Sequence, residues 1–331
     1  MYNIELLNKQ SNEDVKLLLN LLQENFNKSI DYYVWKHNLN QDLQVEEYTF
    51  CVFHDNLCIA SLQLIINTIT VSGKIIRFGL LADGATHKNY RRFGLFEKLL
   101  NHCKDFSSKI NVYFFIGSGN EKSRKAFLKL EYQDFFSTVM LKKKIRYNIS
   151  ILKPLNRVNC FFFLLKFKRE EYCVEEISSH TYIDFIKINQ KSFKFFFNKP
   201  PSHLEWRLKK TDGKNVIYGF FDKQKKLQAV AIVQFTSNMI YIKDILSTGL
   251  NTNHLDKLIK YIIKQAWLNE NITRINCNIN DFNSVNVAFQ KNGLKLIRDT
   301  NNVLIKIVNK NFSFKEEELE NMHYMRIDKN E

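Results

Sequence analysis

Apolar residues along this chain alternate between two periods, and the alternation runs through twice. In the first pass Val15, Leu18, Leu19, Leu21 and Leu22 recur at helical spacing behind Ser11, a capping residue. Residues 12–27 therefore predict an amphipathic helix, preceded by a short strand at 3–7. A further helical arm centres on the aromatic and basic run Tyr32-Tyr33-Val34-Trp35-Lys36-His37. Thr49 to His54 and Leu57 to Thr70 predict two strands joined by a hairpin turn at Asp55-Asn56. Val71-Ser72-Gly73-Lys74 then turns the chain into a third strand, Ile75 to Ala85. Leu95, Phe96, Leu99, Leu100 and Cys103 mark a helix, Val112 to Ile116 a strand, a second helix starts near Glu121, and Phe135 to Leu141 closes the pass as a strand.

The second pass has the same order. His180 to Phe193 predicts a helix, and Val216 to Phe221, Leu227 to Phe235 and Met239 to Leu246 predict three strands. Leu255, Leu258, Ile259, Ile262, Ile263 and Trp267 give a helix over His254 to Leu268. Ile272 to Ile279 reads as a strand, Ser284 to Asn292 as a helix and Leu294 to Val308 as a final strand pair. Between the passes, Lys142 to Arg157 is charged, contains Pro154 and suits a linker, with Asn159 to Lys168 a short strand or helix.

Two local matches suggest an internal repeat. Tyr33-Val34-Trp35-Lys36 aligns with Leu204-Glu205-Trp206-Arg207, and Phe127-x-Lys129-x-Glu131-Tyr132 with Phe289-x-Lys291-x-Gly293-Leu294. The shifts are 171 residues (206 minus 35) and 162 (289 minus 127). The second copy is the shorter, and the missing piece falls where the first has the basic turn from Thr86 to Phe96. Leu246 passes through Ser247-Thr248-Gly249 into its helix with no Arg-x-x-Gly. The expected organisation is α+β, with two tandem units at 1–145 and 171–331 joined by a linker at 146–170.

The turn Thr86-His87-Lys88-Asn89-Tyr90-Arg91-Arg92-Phe93-Gly94-Leu95-Phe96 lies between an apolar strand and an amphipathic helix. Backbone N–H groups at such a helix start have no intrahelical partner and favour a phosphate or pyrophosphate. The spacing Arg91-x-x-Gly94-x-Phe96 resembles the acyl-CoA pyrophosphate loop of the GNAT acetyltransferases, whose usual pattern ends in Gly or Ala where this chain has Phe96. The segment Asn120-x-x-Ser123-x-x-x-Phe127-x-Lys129-x-Glu131-Tyr132 resembles that family's second motif. Together the likeness covers Ile75 to Tyr132. It implies two GNAT-like domains, each a mixed, mostly antiparallel sheet flanked by helices, the first binding acyl-CoA and the second degenerate and holding the acceptor.

The composition narrows the partner. The chain has 331 residues, 49 of them basic against 34 acidic for a net charge of +15, and 45% are hydrophobic, enough for two cores. The charge points to an anionic partner, which could be CoA, a nucleotide sugar, nucleic acid or a membrane surface, or to a Lys- and Asn-rich composition throughout without function. No block of five basic residues occurs and the aromatic residues follow core periodicity, which disfavours nucleic acid. Cys51, Cys58, Cys103, Cys160, Cys173 and Cys277 lack CxxC spacing and read as buried thiols of a reducing compartment. No metal site is expected. With no secretory signal and no apolar run long enough to span a bilayer, a soluble cytoplasmic protein is expected, with no membrane insertion.

Acyl transfer to an amine needs the thioester carbonyl polarised, the amine deprotonated and the thiolate released. Backbone N–H groups near Gly84, Ala85 and Thr86 are candidates for the first task. Those of Arg92, Phe93, Gly94, Leu95 and Phe96 would hold the pyrophosphate, with charge from Arg91 and Arg92. Asp83, in an otherwise apolar strand, is a candidate base if burial raises its pKa, or else a turn former. His87 is a candidate proton relay, and His37 and His54 weaker ones. The resemblance assigns the general acid to the position of Phe127, which cannot donate a proton. It assigns the pantetheine arm to Asn120, with Ser123 beside it. Trp35 and Trp206 are either core or ligand platforms, and Lys36 and Arg207 beside them would meet an acceptor phosphate.

The tandem pattern resembles two-domain acyl-CoA-dependent N-acyltransferases of surface-polysaccharide pathways. That implies transfer of an acetyl or short hydroxyacyl group, such as 3-hydroxybutanoyl, to a nucleotide-linked amino sugar, commonly a dTDP sugar. Two other readings stay open: acylation of a peptide, antibiotic or thiol precursor, and an inactive CoA-sensing or interaction module.

Overall fold

The computed structural model describes residues 2–40, 44–118, 121–146, 153–167, 173–209, 212–280, 285–309, 312–314 and 322–325. The first half runs β1 (Glu5–Leu6), α1 (Asn12–Phe26), α2 (Ile30–Lys36), β2 (Glu47–His54), β3 (Leu57–Val71), β4 (Lys74–Thr86), α3 (Leu95–Lys109), β5 (Phe114–Ser118), α4 (Glu121–Lys129) and β6 (Gln133–Lys144). Helix α5 (Lys153–Phe167) follows. The second half runs β7 (Cys173–Glu176), α6 (Ser179–Asn189), β8 (Phe195–Phe197), α7 (Pro201–Leu208), β9 (Lys214–Phe221), β10 (Leu227–Phe235), β11 (Met239–Ser247), α8 (Thr252–Leu268), β12 (Arg274–Asn280), α9 (Val285–Lys291), β13 (Lys295–Ile307) and β14 (Met322–His323).

Local chemistry sets most of these bounds. The Ser11 hydroxyl accepts the Asp14 N–H at 3.2 Å and starts α1, while Asn27 ends it in the left-handed region at φ 50°. The β2–β3 hairpin turns on Asp55 and Asn56, with φ of 48° and 58°, and the β3–β4 hairpin on Ser72 and Gly73, with φ of 47° and 82°. Two consecutive positive φ values suit the right-handed twist of the flanking strands. Strand β3 is apolar and buried almost from end to end because α1 and α3 both pack on it.

The strands form one hydrogen-bonded path, β1-β2-β3-β4-β5-β13-β6-β12-β11-β10-β9-β7, with β8 alongside β3 and β14 alongside β8. Within it β4–β5 and β11–β12 are parallel neighbours and the other pairs of the path antiparallel. The sheet expected of each half is therefore continuous with the other. The last strands of the halves are exchanged: β13 pairs with β5, and β6 with β12. The final strand pair expected over 294–308 is a single strand, interrupted in register between Arg298 and Asn302. The described part of the expected linker at 146–170 is mostly α5, whose Cys160 packs on the α8 core.

The halves share a further feature. Ser61 pairs with Ala85 and Gln63 with Ala82, so Asp83 and Gly84 bulge from β4 opposite Leu62. In β11, Ile232 pairs with Asp244 and Val233 with Ile242, so Lys243 bulges. Each bulge lies where its strand leaves a parallel neighbour. The β4–β5 register ends at Leu81↔Gly117 and the β11–β12 register at Ile242↔Cys277. A bulge adds a residue and bends the strand, which opens a gap. At the second gap the C-terminal segment bonds to both strands: Tyr324 N–H donates to Asn280 Oδ1 at 3.2 Å, and His323 Nε2 lies 2.8 Å from Asp244 Oδ1.

Candidate active site

The first gap opens into a cavity of about 660 Å³. Its floor is Leu81, Ala82, Asp83 and Gly84 of β4 with Ile116 and Ser118 of β5. Lys28, Tyr32, Tyr33 and Lys36 close one side, and Phe96, Ser123 and Phe127 another. The far wall comes from the second half: Asp212, the β10–β11 turn Thr236-Ser237-Asn238-Met239, Tyr241 and Tyr324. Among the described residues the β4–β5 register ends at Leu81, and Ala82, Asp83 and Gly84 beyond it line the cavity.

The loop after β4 is an amide cradle. His87 N–H donates to Ile59 O, a single 3₁₀ turn follows at Lys88–Tyr90, and Arg92 and Gly94 take left-handed φ of 73° and 71°. Gly94 precedes α3 without a side-chain cap, and the first intrahelical bond runs from Lys98 N–H to Gly94 O. The N–H groups of Leu95, Phe96 and Glu97 are thus outside the helical ladder. A Cβ at Gly94 would meet nothing within 4 Å, which leaves the approach to these amides open. Arg92 is exposed, and Arg91 is braced by Nε to Thr86 O at 3.3 Å and a guanidinium bond to Asn25 Oδ1 at 3.2 Å.

Phe96 turns inward. A Cβ on Gly84 would lie 2.4 Å from its Cε2, so the ring covers the bulge, and it meets Phe127 edge-on with centroids 5.6 Å apart. Phe127 in turn leans on Gly117, where a Cβ would stand 3.1 Å from its Cζ. Two rings thus occupy one side of the cleft, each over a glycine. Ser123 lines the cavity. Asn120 lies outside the described residues.

Asp83 sits at the cavity floor between a lysine and a histidine, with Lys36 Nζ at 2.7 Å from Oδ1 and His37 Nε2 at 3.1 Å from Oδ2. Burial acts to raise its pKa, but Lys36 and the His37 hydrogen bond outweigh it and hold the carboxyl down at about 2. The raised pKa expected from burial is corrected: this group is an ion-pair anchor and a poor base. Lys36 is correspondingly committed to Asp83 instead of standing ready for an acceptor phosphate. The ammonium also lies 5.5 Å from the Tyr32 ring centroid. Burial pushes the Tyr32 phenol up, and burial with the Asp83 charge pushes Tyr33 to about 12.

Other expected site residues fall elsewhere. His87 is not in the cavity lining; its Nδ1 accepts the Asn89 N–H at 3.4 Å and its Nε2 stands 3.8 Å from Glu24. It caps the 3₁₀ turn. Ala85 is buried under α1 and α2, so only its backbone is available. Trp35 and Trp206 are buried against each other, with ring centroids 5.6 Å apart, and the Arg207 guanidinium lies 5.9 Å and 5.6 Å from the two rings. Neither tryptophan lines the cleft, and Arg207 is buried with them. The cleft residues that sequence reasoning missed are Lys28, Tyr32, Tyr33, Ser118, Asp212 and Tyr241, with Tyr324. They share no motif, because they converge from elements spread over most of the chain.

The counterpart of Asp83 is Asp244. Burial acts to raise its pKa, and Lys199 at 3.4 Å, His323 and the Tyr182 hydroxyl more than reverse that. Each half therefore carries a buried aspartate at its bulge, held by a lysine and a histidine. Among the described residues no group of three or more His, Cys, Asp or Glu is arranged to hold a metal, and no helix is long and apolar enough to cross a membrane.

Comparison with known proteins bears on the fold. Residues 7–116 match the family model described as an acetyltransferase (GNAT) domain. No curated protein sequence matches the chain. Among solved structures, a protein of Enterococcus faecalis V583 described as a probable N-acyltransferase is similar with a TM-score of 0.68 at 11% identity, over 93% of this chain and 73% of that one. A GCN5-related N-acetyltransferase of Anabaena variabilis gives a TM-score of 0.66 at 12% identity, over 93% and 73%. N-myristoyltransferase of Saccharomyces cerevisiae, solved with bound myristoyl-CoA, gives 0.61 at 12% identity, over 92% and 78%. The likeness is one of fold: a mixed α+β GNAT fold.

Proposed function

We propose that this protein is an acyl-CoA-dependent N-acyltransferase, that the loop from Arg91 to Phe96 holds the pyrophosphate, and that the acceptor is the amino group of a nucleotide-linked amino sugar, such as a dTDP sugar. One observation carries the reading. The strand parting at the Asp83–Gly84 bulge lies a few residues before an uncapped helix start flanked by two arginines. A pantetheine arm needs a gap between strands with unpaired backbone groups, and a pyrophosphate needs free N–H groups at its end. The bound myristoyl-CoA of the yeast N-myristoyltransferase is a precedent for such a ligand on this fold.

In the proposed reaction the amine nitrogen attacks the thioester carbonyl, the C–N bond forms and the C–S bond breaks. An ammonium acceptor and an acyl-CoA give amide, CoA thiol and one proton. Backbone N–H groups on the free edge of β4 beside Gly84 polarise the carbonyl. Asp83 keeps its charge and anchors the floor, so the proton leaves through cleft water and not through a carboxylate base. With Phe127 in place of a phenol, the departing thiolate takes its proton from water or the acceptor, and rate comes from positioning. The rings of Phe96 and Phe127 with Leu62 and Leu81 form an apolar end suited to an acetyl or short hydroxyacyl group.

The second half, proposed as a degenerate GNAT-like domain whose sheet continues that of the first, supplies the acceptor wall. Asp212 would attract an ammonium, the tyrosines would stack on and hydrogen-bond to sugar and base, and Lys28 would meet a phosphate. The reaction belongs in the cytoplasm, where CoA thioesters and nucleotide sugars occur together. The test is thiol release from acetyl-CoA and 3-hydroxybutanoyl-CoA against a panel of dTDP- and UDP-linked amino sugars, with the product weighed by mass spectrometry. One acylated sugar is the expected result. Turnover with a peptide, antibiotic or thiol precursor alone would move the acceptor to that class, and CoA binding without any turnover would leave a sensor.

A further inference from the structure

Helix α5 leaves an apolar face uncovered. Leu155, Val158, Phe161 and Phe162 are 48%, 50%, 61% and 65% exposed, whereas Asn156 and Cys160 turn inward, Cys160 Sγ donating to Trp267 O at 3.6 Å. Leu268, one residue beyond that carbonyl, is a further 54% exposed and extends the patch onto α8. Leu155, Val158 and Phe162 share one stripe of the helix by their spacing. Single exposed apolar residues are ordinary, but five large ones gathered on two packed helices are not.

Along the chain the stretch that carries α5 is cationic, while Glu170 and Glu171 follow it and the exposed Glu270 stands two residues beyond Leu268. From Lys142 to Arg169 the sequence holds nine cationic residues and no acidic one, in a chain of net charge +15. Some of these cations have internal work: Arg146 caps the carbonyls at the end of α8, and Lys143 reaches Asn292 O at 2.8 Å. Arg157 is exposed on α5 itself. An anionic bilayer surface offers an apolar boundary and negative charge at once, which matches exposed apolar side chains beside Arg157. The helix has 15 residues, about 22 Å of rise, too short for a hydrocarbon core of about 30 Å. A helix of this length that meets a bilayer would lie along its surface.

We propose that α5 docks this protein on the surface of an anionic phospholipid bilayer, with Leu155, Val158, Phe161 and Phe162 entering the headgroup boundary and Arg157 facing lipid phosphates. The docking is independent of what the cleft acylates, and it would hold the cleft near a membrane.

Cosedimentation of the full chain with vesicles tests it, using phosphatidylglycerol mixed with phosphatidylcholine against phosphatidylcholine alone. Binding to the anionic vesicles is expected, falling as salt rises. Phe161→Ser with Phe162→Ser should weaken it about tenfold or more, and Arg157→Gln about threefold to fivefold. Both changes are at exposed positions, and an unchanged thermal melt will show that the variants fold. Failure to bind, equal binding to neutral vesicles, or full binding by the double variant would overturn the proposal. A wild-type dimer that the double variant splits, with no vesicle binding, would make this face an interface between copies instead.

Discussion

Trp35 and Trp206 hold each other by reciprocal bonds: the indole N–H of Trp35 donates to Trp206 O at 2.6 Å, and that of Trp206 to Trp35 O at 2.8 Å. The two residues are 171 positions apart and stand at matching places in the repeat read from the sequence. The arrangement is symmetric, so each half satisfies the other's buried polar group. Truncating Trp206 to Ala should cost about 3 to 5 kcal/mol through the lost ring and the stranded carbonyl. Because both residues serve one contact, the double Ala variant should cost clearly less than the sum of the singles, measured by urea unfolding. Simple additivity would mean that the pair does not act as a unit.

Asp83 gives the protein an acid-sensitive clamp. Its folded pKa of about 2 lies below the ordinary carboxylate value, so its stabilisation is present above about pH 4 and is lost as pH falls toward 2. The linked contribution is about 2 kcal/mol. Asp83→Asn leaves the Lys36 ammonium buried without its anion and should destabilise by about 3 kcal/mol or more at pH 7. Unfolding of both proteins between pH 7 and pH 3 should show the gap narrowing with acid. A gap that stays constant would contradict the ion pair.

Gly94→Glu should abolish CoA binding, about a hundredfold or more by titration calorimetry, by setting a carboxylate beside the amide cradle. A Cβ at Gly94 would meet nothing within 4 Å, and the left-handed φ of 71° adds about 1 kcal/mol of strain. Gly94→Asn controls for that strain, since Asn tolerates the left-handed region, and it should keep affinity within several-fold. CoA affinity that survives the Glu variant would remove the pyrophosphate from this loop.

Gly84→Ala would drive a methyl to 2.4 Å from the Phe96 ring and displace it from Phe127. A loss of about 1 to 3 kcal/mol is expected, and Phe96→Leu should recover part of it. No recovery in the double variant would show that Phe96 is not what fills the bulge.

His87→Ala should leave turnover within about twofold of wild type, since His87 lies outside the cleft lining. A large fall in kcat with an intact melt would return His87 to the mechanism.

What the sequence determined by itself is what short-range physics encodes. The apolar period separated strands from helices, Ser11 and Asn27 bounded α1, and paired turn residues at 55–56 and 72–73 set two hairpins. Arg91-x-x-Gly94 marked the strand-to-helix turn, where Gly94 starts α3 without a side-chain cap, because that signal lies within a few residues. Less legible were α7 and the short strands β7, β8 and β14, whose runs carry too few residues to show a period. Tertiary structure alone decided what each buried face meets. Burial of Asp83 suggested a raised pKa until Lys36 and His37, 47 and 46 residues away, were brought against it. The exchange of β6 and β13, the pairing of the two tryptophans and the far wall of the cleft likewise depend on contacts between distant segments. Periodicity records that a side chain is withdrawn from water, but the sign of a charge's perturbation depends on its neighbours, and only packing supplies those.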